Sequence, residues 1–402
     1  MSEFTSMIHV KTPPRHAYKR NSKKAYFSYS LRDQTFQQGY LGVQPSTIQG
    51  NFHLRYKTTK PLLAYSVDIF FKGKIMVEWN DGQNVHSGFK TLLEHGVRVW
   101  SAEPIQHHEP SAVKTTRGKL MTNLTPQSTN YDRNRMMHFG EITNLDLPFE
   151  FLIPNNALSS IIPMNKFAAI GKVSYYIKAV ISRYLPPYKF LRKSLKIVEV
   201  RCPITRWNLP LNIPPRPTTL TKSNDSLDCQ ITFRQTTFKK GSLILVPIKL
   251  IIHDQKTFIK KITVELKECH LLKVKRRDQI IERSVITSKA SSENLSLIPN
   301  TTNEYYIEMK LDMNLIDSKR PLNVSMSNDT PPLTRYSDVD IEVTHKVIVK
   351  IYLKNARDLK FVKPISIVNA IDEKEAEKLI YEWPNIDSEW RYDQLLILPQ
   401  SS

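Results

Sequence analysis

Apolar and polar residues alternate along most of this chain, and the alternation has the period of a strand. Over residues 48–54, Ile48, Phe52 and Leu54 fall on one face with polar residues between them, the pattern of a half-buried strand. Residues 62–71 are rich in β-branched and aromatic side chains, Lys72-Gly73-Lys74 reads as a turn, residues 75–79 as a further strand, and Asn80-Asp81-Gly82 as another turn. The pattern returns at 145–154, bounded by Pro148 and Pro154, and closes with a long alternating run over 173–183. The second half repeats the scheme, with strands expected at 228–233, 242–253, 257–267, 305–311 and 341–353. Lys239-Lys240-Gly241 and His253-Asp254-Gln255 serve there as turns. One helix is expected, over 372–383, with an acidic first turn and Pro384 as its stop. Residues 80–135, 278–300 and 319–336 lack a clear period and read as exposed loops.

Many short strands with polar turns and almost no helix predict an all-β fold of two immunoglobulin-like β-sandwich domains in tandem. Five prolines, at 203, 210, 214, 215 and 217, predict a stiff, extended connection between the halves. The chain divides into a basic arm (1–34) that pairs one strand around residues 25–29, a first sandwich (35–207), a Pro-rich connector (208–225), a second sandwich (226–370) and an acidic tail with a short helix (371–402).

At 402 residues the chain can build two separate cores. Its longest apolar run, 243–252, is broken by Pro247 and Lys249, whereas a membrane-spanning helix needs about 20 apolar residues. The first 24 residues carry Lys19, Arg20, Lys23 and Lys24 without an apolar centre, unlike a secretory signal. The three cysteines (Cys202, Cys229 and Cys269) are odd in number and show no CxxC spacing, so neither a disulfide framework nor a zinc site is indicated. A reduced, cytoplasmic protein is the expectation. The net charge of +20 is uneven: residues 371–402 carry −5 and the first 370 carry +25. A body of that charge attracts polyanions such as anionic lipid, phosphorylated peptide or nucleic acid.

No reaction type emerges. The chain has no Gly-x-Ser-x-Gly elbow, Walker loop, GxGxxG or HExxH, and only 11 glycines to build phosphate loops. His107-His108 is an isolated pair in a polar stretch, His345 reads as a structural partner on a strand, and no cofactor is implied. The basic clusters are the better candidates for binding anionic lipid or phosphorylated cargo: Lys189, Arg192, Lys193 and Lys196; Lys239 and Lys240; Lys260 and Lys261; and Lys273, Lys275, Arg276 and Arg277. Lysines at sheet edges also keep strands from pairing with other chains, which is the plainer account of each cluster.

Several of these segments resemble the arrestin-related proteins, fungal alpha-arrestins in particular. Gly39-Tyr40-Leu41-Gly42 through Ile48-Gln49-Gly50 is similar to that family's opening segment, and Phe149-Glu150-Phe151-Leu152-Ile153-Pro154 and Val173-Ser174-Tyr175-Tyr176-Ile177-Lys178-Ala179 to its next signature strands. In the second half, Phe238-Lys239-Lys240-Gly241-Ser242, Leu245-Val246-Pro247-Ile248, Ile341-Glu342-Val343-Thr344-His345-Lys346-Val347 and Lys363-Pro364-Ile365-Ser366-Ile367 follow in the family's order. The resemblance covers about residues 36–370. It implies an arrestin fold and a non-enzymatic adaptor that binds cytoplasmic tails of membrane cargo. It also implies recruitment of a HECT-type ubiquitin ligase for endocytosis, through Pro-Pro-x-Tyr motifs.

This chain has no such motif. Leu185-Pro186-Pro187-Tyr188 is its nearest substitute, with Leu185, Pro186 and Tyr188 as the candidate ligase contacts; a hairpin turn in which proline sets the backbone and Tyr188 packs on the sheet is the plainer account. Two other functions compete. A retromer-type sorting subunit of the same fold needs no ligase motif, and a basic nucleic-acid binder would show binding that falls steeply with salt.

Overall fold

The computed structural model describes residues 24–29, 35–102, 139–164, 169–184, 195–210, 217–294, 296–297, 303–316, 321–326 and 338–382. The N-terminal half contributes β1 (Ala25–Ser28), β2 (Gln37–Gln38), β3 (Ser46–Arg55), β4 (Leu62–Asn80), β5 (Val85–Ser101), β6 (Gly140–Ile142), β7 (Asn144–Ile153), β8 (Ala169–Arg183) and β9 (Leu195–Arg201). The C-terminal half contributes β10 (Thr218–Asn224), β11 (Leu227–Phe233), β12 (Thr237–Lys239), β13 (Leu243–Ile252), β14 (Phe258–Val274), β15 (Arg277–Ser291), β16 (Ser296–Leu297), β17 (Glu304–Asp312), β18 (Val339–Lys354) and β19 (Leu359–Val368). Helix α1 (Glu373–Glu382) follows.

Each half is a pair of sheets closed over its own apolar face. In the first, β1 and β2 pair with one side of β3 and β7 with the other, and this sheet covers a second of order β5-β4-β8-β9 with β6 against the start of β4. In the second, β10-β11-β13-β17-β16 covers β12-β19-β18-β14-β15. Among the described strands every pairing is antiparallel except that of β12 with β19. Strand alternation decides what lies inside. On β7, Leu147, Phe149, Phe151 and Ile153 are buried, whereas Leu152, on the other parity, is 65% exposed.

Four segments differ from the sequence expectation. Lys72-Gly73-Lys74, read as a turn between strands at 62–71 and 75–79, lies inside the single strand β4, where Gly73 makes room for the Tyr175 ring and the register against β5 shifts between Gly73 and Lys74. Residues 85–101 and 277–291, read as loops, are the long edge strands β5 and β15. Their inward positions are mostly half-buried rather than buried, so the cores select apolar residues there only weakly and the sequences show little alternation. Residues 218–224, read as part of the connector, form the outer strand β10, where β-branched threonines pair with β11 and Leu220 leans on the core. His107-His108 and residues 1–23 lie outside the described residues.

The two cores share strands. On β14, Ile262, Val264 and Leu266 belong to the C-terminal core, while Leu272 and Val274 belong to the N-terminal one. On β18, Val347, Val349 and Ile351 face the C-terminal core, and Val339, Ile341 and Val343 the N-terminal one. Glycines admit this intrusion: a Cβ on Gly171 would lie 2.4 Å from Cδ2 of Leu272, and one on Gly88 would lie 2.5 Å from Cγ2 of Val339.

A second seam closes the other flank. Asn208 forms a parallel bridge with Ala370, and Ala376 and Leu379 of α1 pack with Ile371 against Val43 of the N-terminal half, flanked by Tyr40, Trp207 and Leu209. Because the junction is core rather than linker, heat should unfold both halves in one calorimetric transition. Leu272→Ala should lower that single transition by about 2–5 kcal/mol. Two resolved transitions, only one of them moved by the substitution, would show the halves to be independent.

Candidate functional site at the junction of the two halves

The inner face of β14 reads Ile262, Val264, Leu266, Glu268, His270, Leu272, Val274. An uninterrupted apolar row thus carries two polar residues in its middle, at the level where the strand leaves one core and enters the other. His345 interrupts β18 at the same level, its Cα paired with that of Glu268. Glu268, His270 and His345 are 0%, 1% and 2% exposed, so water does not solvate the carboxylate and the protein must supply its partners.

It does so fully. The His270 ring donates from Nε2 to Glu268 Oε1 at 2.7 Å, and Arg283 of β15 donates from Nη2 to Oε2 at 2.7 Å. Asn323, on the segment leading to β18, donates its side-chain amide to Oε1 at 2.8 Å and its backbone N–H to Oε2 at 3.3 Å. Burial alone would raise the pKa of Glu268. The His270 bond, the charge and bond of Arg283 and the Asn323 bond outweigh it and hold the pKa down to about 2.

Asn323 also reaches the other half. Its Nδ2 donates to the backbone carbonyl of Ile162 at 3.1 Å, and its Oδ1 accepts from the Ile162 N–H at 3.0 Å. One side chain thereby mimics a strand partner for the N-terminal half while bonding the buried carboxylate of the C-terminal half. Arg283 additionally donates to the carbonyl of Pro321 at 2.8 Å, which fixes the segment carrying Asn323.

His345 completes the cluster as a neutral ring. The Ser325 hydroxyl accepts from the Ile367 N–H at 2.8 Å and meets His345 Nδ1 at 2.9 Å. The other ring nitrogen, Nε2, lies 3.9 Å from Glu268 Oε2, and the Asn323 backbone also bonds the ring. Burial pulls the pKa of His345 down to about 4 against the opposing pull of Glu268. Lys240, exposed as a residue, has its ammonium pKa lowered by desolvation, with Glu268 acting in the opposite direction.

The residues expected from the sequence to bind partners are scattered. Leu185, Pro186, Tyr188, Lys189, Arg192 and Lys193 lie outside the described residues. Lys196 bonds the Tyr56 hydroxyl at 2.8 Å. Lys239 pairs with Asp372, just ahead of α1. Lys260 and Lys261 lie at the start of β14, and Lys273 at its end, about 40 Å away along the strand. Lys275, with a left-handed φ of 56°, and Arg276 turn the chain into β15, and Arg277 reaches His86 at 3.2 Å and Asp81 at 3.7 Å on the N-terminal half. These residues make separate clusters rather than one basic patch. The hairpin at 273–277 is a contact between the halves.

Sequence reasoning missed Glu268, His270, Arg283, Asn323 and Ser325 as a group. The signal for two of them was available: Glu268 and His270 occupy the inward parity of a strand whose other inward positions are all apolar. Among the described residues, no three His, Cys, Asp or Glu side chains gather to hold a metal ion, and no helix is long and apolar enough to cross a membrane. The hydroxyl beside a histidine in this cluster, Ser325 Oγ, is also held by the Ile367 N–H. Its chemistry is that of a buried ionic lock around a carboxylate with four donors. No family model matches the chain, and no curated protein matches it.

Acid should open this lock in two stages. An unfolded chain protonates His345 near its ordinary value of 6.5 but the folded chain only near 4, so stability falls as the pH drops through that window. Glu268 continues the loss from about 4.5 down to about 2, since its folded pKa is depressed in the same way. Urea titrations across pH 7 to 3 measure this, and a His345→Gln variant should lose the upper stage. At neutral pH, Glu268→Gln leaves Arg283 without its counter-charge and should cost about 3–5 kcal/mol. A loss below 1 kcal/mol would mean that the lock is not structural.

Proposed function

We propose that this chain is an arrestin-related adaptor, without catalytic activity, that binds cytoplasmic parts of membrane cargo and links them to ubiquitin ligation and endocytosis. The observation that carries the reading is the tandem of two β-sandwiches whose order of segments runs from Gly39-Tyr40-Leu41-Gly42 to Lys363-Pro364-Ile365-Ser366-Ile367. A two-domain body with separate basic clusters suits a protein that holds several partners at once. In this reading the chain is cytoplasmic and associates peripherally with plasma membrane or endosomes. A HECT-type ligase is met through Leu185, Pro186 and Tyr188, and nucleic acid is not its target. The lack of a Pro-Pro-x-Tyr motif favours a second reading, a retromer-type sorting subunit that binds coat proteins and recruits no ligase.

Affinity purification of the full chain from its own cells separates the two. The adaptor reading expects a HECT-type ligase with the wild type and at least about a tenfold loss of it with Pro186→Ala/Tyr188→Ala, one tenfold step corresponding to about 1.4 kcal/mol. Stoichiometric coat subunits with both proteins, and no ligase with either, would replace it with the sorting reading.

A further inference from the structure

The outer face of the sheet built on β3 carries a hydroxyl, an imidazole and a carboxylate in one chain of contacts. Phe27 of β1, Phe52 and Leu54 of β3 and Leu147 of β7 point into the N-terminal core, so strand alternation turns Ser28, His53 and Asp146 to the opposite face. Antiparallel register sets His53 between Tyr26 of β1 and Asp146 of β7, with Ser28 two residues further along β1. The Ser28 hydroxyl lies 2.7 Å from His53 Nε2, and His53 Nδ1 lies 2.5 Å from Asp146 Oδ1.

The neighbours order the protons. Burial would raise the Asp146 carboxyl, but its bonds to His53 and Arg55 outweigh that and hold it below its ordinary value. Arg55 Nη2 lies 3.1 Å from His53 Nδ1, yet a guanidinium can only donate, and it bonds the same carboxylate. The ring therefore gives its Nδ1 proton to Asp146, and the Nε2 lone pair accepts from Ser28. Tyr26 stacks on the imidazole with 4.8 Å between centroids, and the histidine is 3% exposed although it lies on an outer face. Arg55 is tied in turn to the carbonyls of Leu54 and Leu145, at 3.0 and 3.1 Å. Ser28 at the end of this chain is only half-buried.

We propose that Ser28 is an acyl-accepting nucleophile, with His53 as its base, Asp146 as the positioning residue that holds the ring, and thioesters or aryl esters of small carboxylic acids as its donors. The three groups stand in the order and at the spacing that make a serine nucleophilic, a constellation recognised by geometry and roles rather than by fold or chain order. In the step, Ser28 Oγ attacks the donor's carbonyl carbon and its proton passes to His53 Nε2. The donor's carbon–sulfur or carbon–oxygen bond breaks, and the departing thiolate or aryloxide takes that proton. The products are an ester on Ser28 and a free thiol or phenol, with no oxidant or reductant consumed. Asn51 lies directly opposite Ser28 on the same face, so register offers its side-chain amide to polarise the carbonyl. A single amide stabilises the developing oxyanion less than a full set of donors, which restricts the site to activated donors and excludes peptides. The inference goes beyond the adaptor reading and does not depend on it, since one transfer to the chain's own serine is modification rather than turnover.

Incubating the full chain with p-nitrophenyl acetate tests this, with p-nitrophenol release followed in time and the acetylated residue located by mass spectrometry. Wild type should release a burst of about one equivalent and carry acetyl on Ser28. His53→Gln should slow the burst about a hundredfold, the low end of what a positioned base contributes. Asp146→Asn should slow it by at least about tenfold in the wild-type background but no further in His53→Gln, because it acts only through the ring. Ser28→Ala should remove the adduct. If that variant does not fold, Ser28→Cys keeps a nucleophile in place, and its thiol should react with iodoacetamide about a hundredfold faster than in Ser28→Cys/His53→Gln, the native cysteines being buried. Acetyl confined to lysines would overturn the site. So would acetylation of Ser28, or alkylation of Cys at that position, at an equal rate with and without His53, which would leave the contacts as a pin joining β1, β3 and β7.

Discussion

The buried carboxylate of Glu268 is the constraint around which the two halves are arranged. Strands β14 and β18 are each too long for one sandwich, and their inner faces supply apolar residues to two cores in succession. At the crossing there is no sheet opposite to bury against, because one sandwich ends and the other begins. An ionised group can sit there only if four donors meet it, and those donors come from β14, β15 and the segment that also bonds Ile162. The requirement to satisfy one charge therefore fixes three pieces of chain. A hydrophobic residue at this position would bury as well, but it would not dictate which neighbours it meets.

The apolar part of the junction and its polar part do different things. Leu272, Val274, Val339 and Ile341 supply burial, which is non-directional and tolerates sliding along the strands. Asn323 and Glu268 supply direction, since hydrogen bonds fail within a few tenths of an ångström of misplacement. Together they hold the halves at one register. The flank formed by Asn208, Ala370 and α1 repeats the division, with a backbone bridge for register and Val43, Ala376 and Leu379 for burial. Both flanks of the junction are therefore held by burial and by directional bonds at once.

Strands that touch a core could be read from the sequence because burial writes a period of two into them. This holds for β3, β7, β8, β13 and β18, and the helix was legible from its acidic start and its proline stop. Strands β5 and β15 were not legible. Each lies at the edge of a sheet, with little burial to select apolar residues at alternate positions, so His86, Lys90, Glu94 and Arg98 are as acceptable there as any β-former. The connector was misread for the opposite reason: its prolines dominate the composition, while the seven residues of β10 just after them carry only a weak apolar signal in Leu220. The cluster at the junction was half legible. Glu268 and His270 break an apolar parity in plain view, but Asn323 and Arg283 are brought to them by pairings that no local pattern encodes.

The distribution of charge follows from the same architecture. The body carries +25, yet most lysines that the structure places near acids are already matched: Lys72 to Glu94, Lys239 to Asp372, Lys249 to Glu304, and Lys267 and Lys346 to Glu282. Uncompensated charge is thus more informative than total charge. Net charge says only that polyanions are attracted from a distance, with a reach limited by a Debye length of about 8 Å at physiological salt. Where the attraction becomes a site is decided by neighbours across strands, which antiparallel register fixes to single residues. On that criterion Arg277, from the basic run at 273–277, is committed to the junction, while Lys289, Lys350 and Lys360, separated by more than 70 positions of chain from first to last, are brought onto one row by strand register alone.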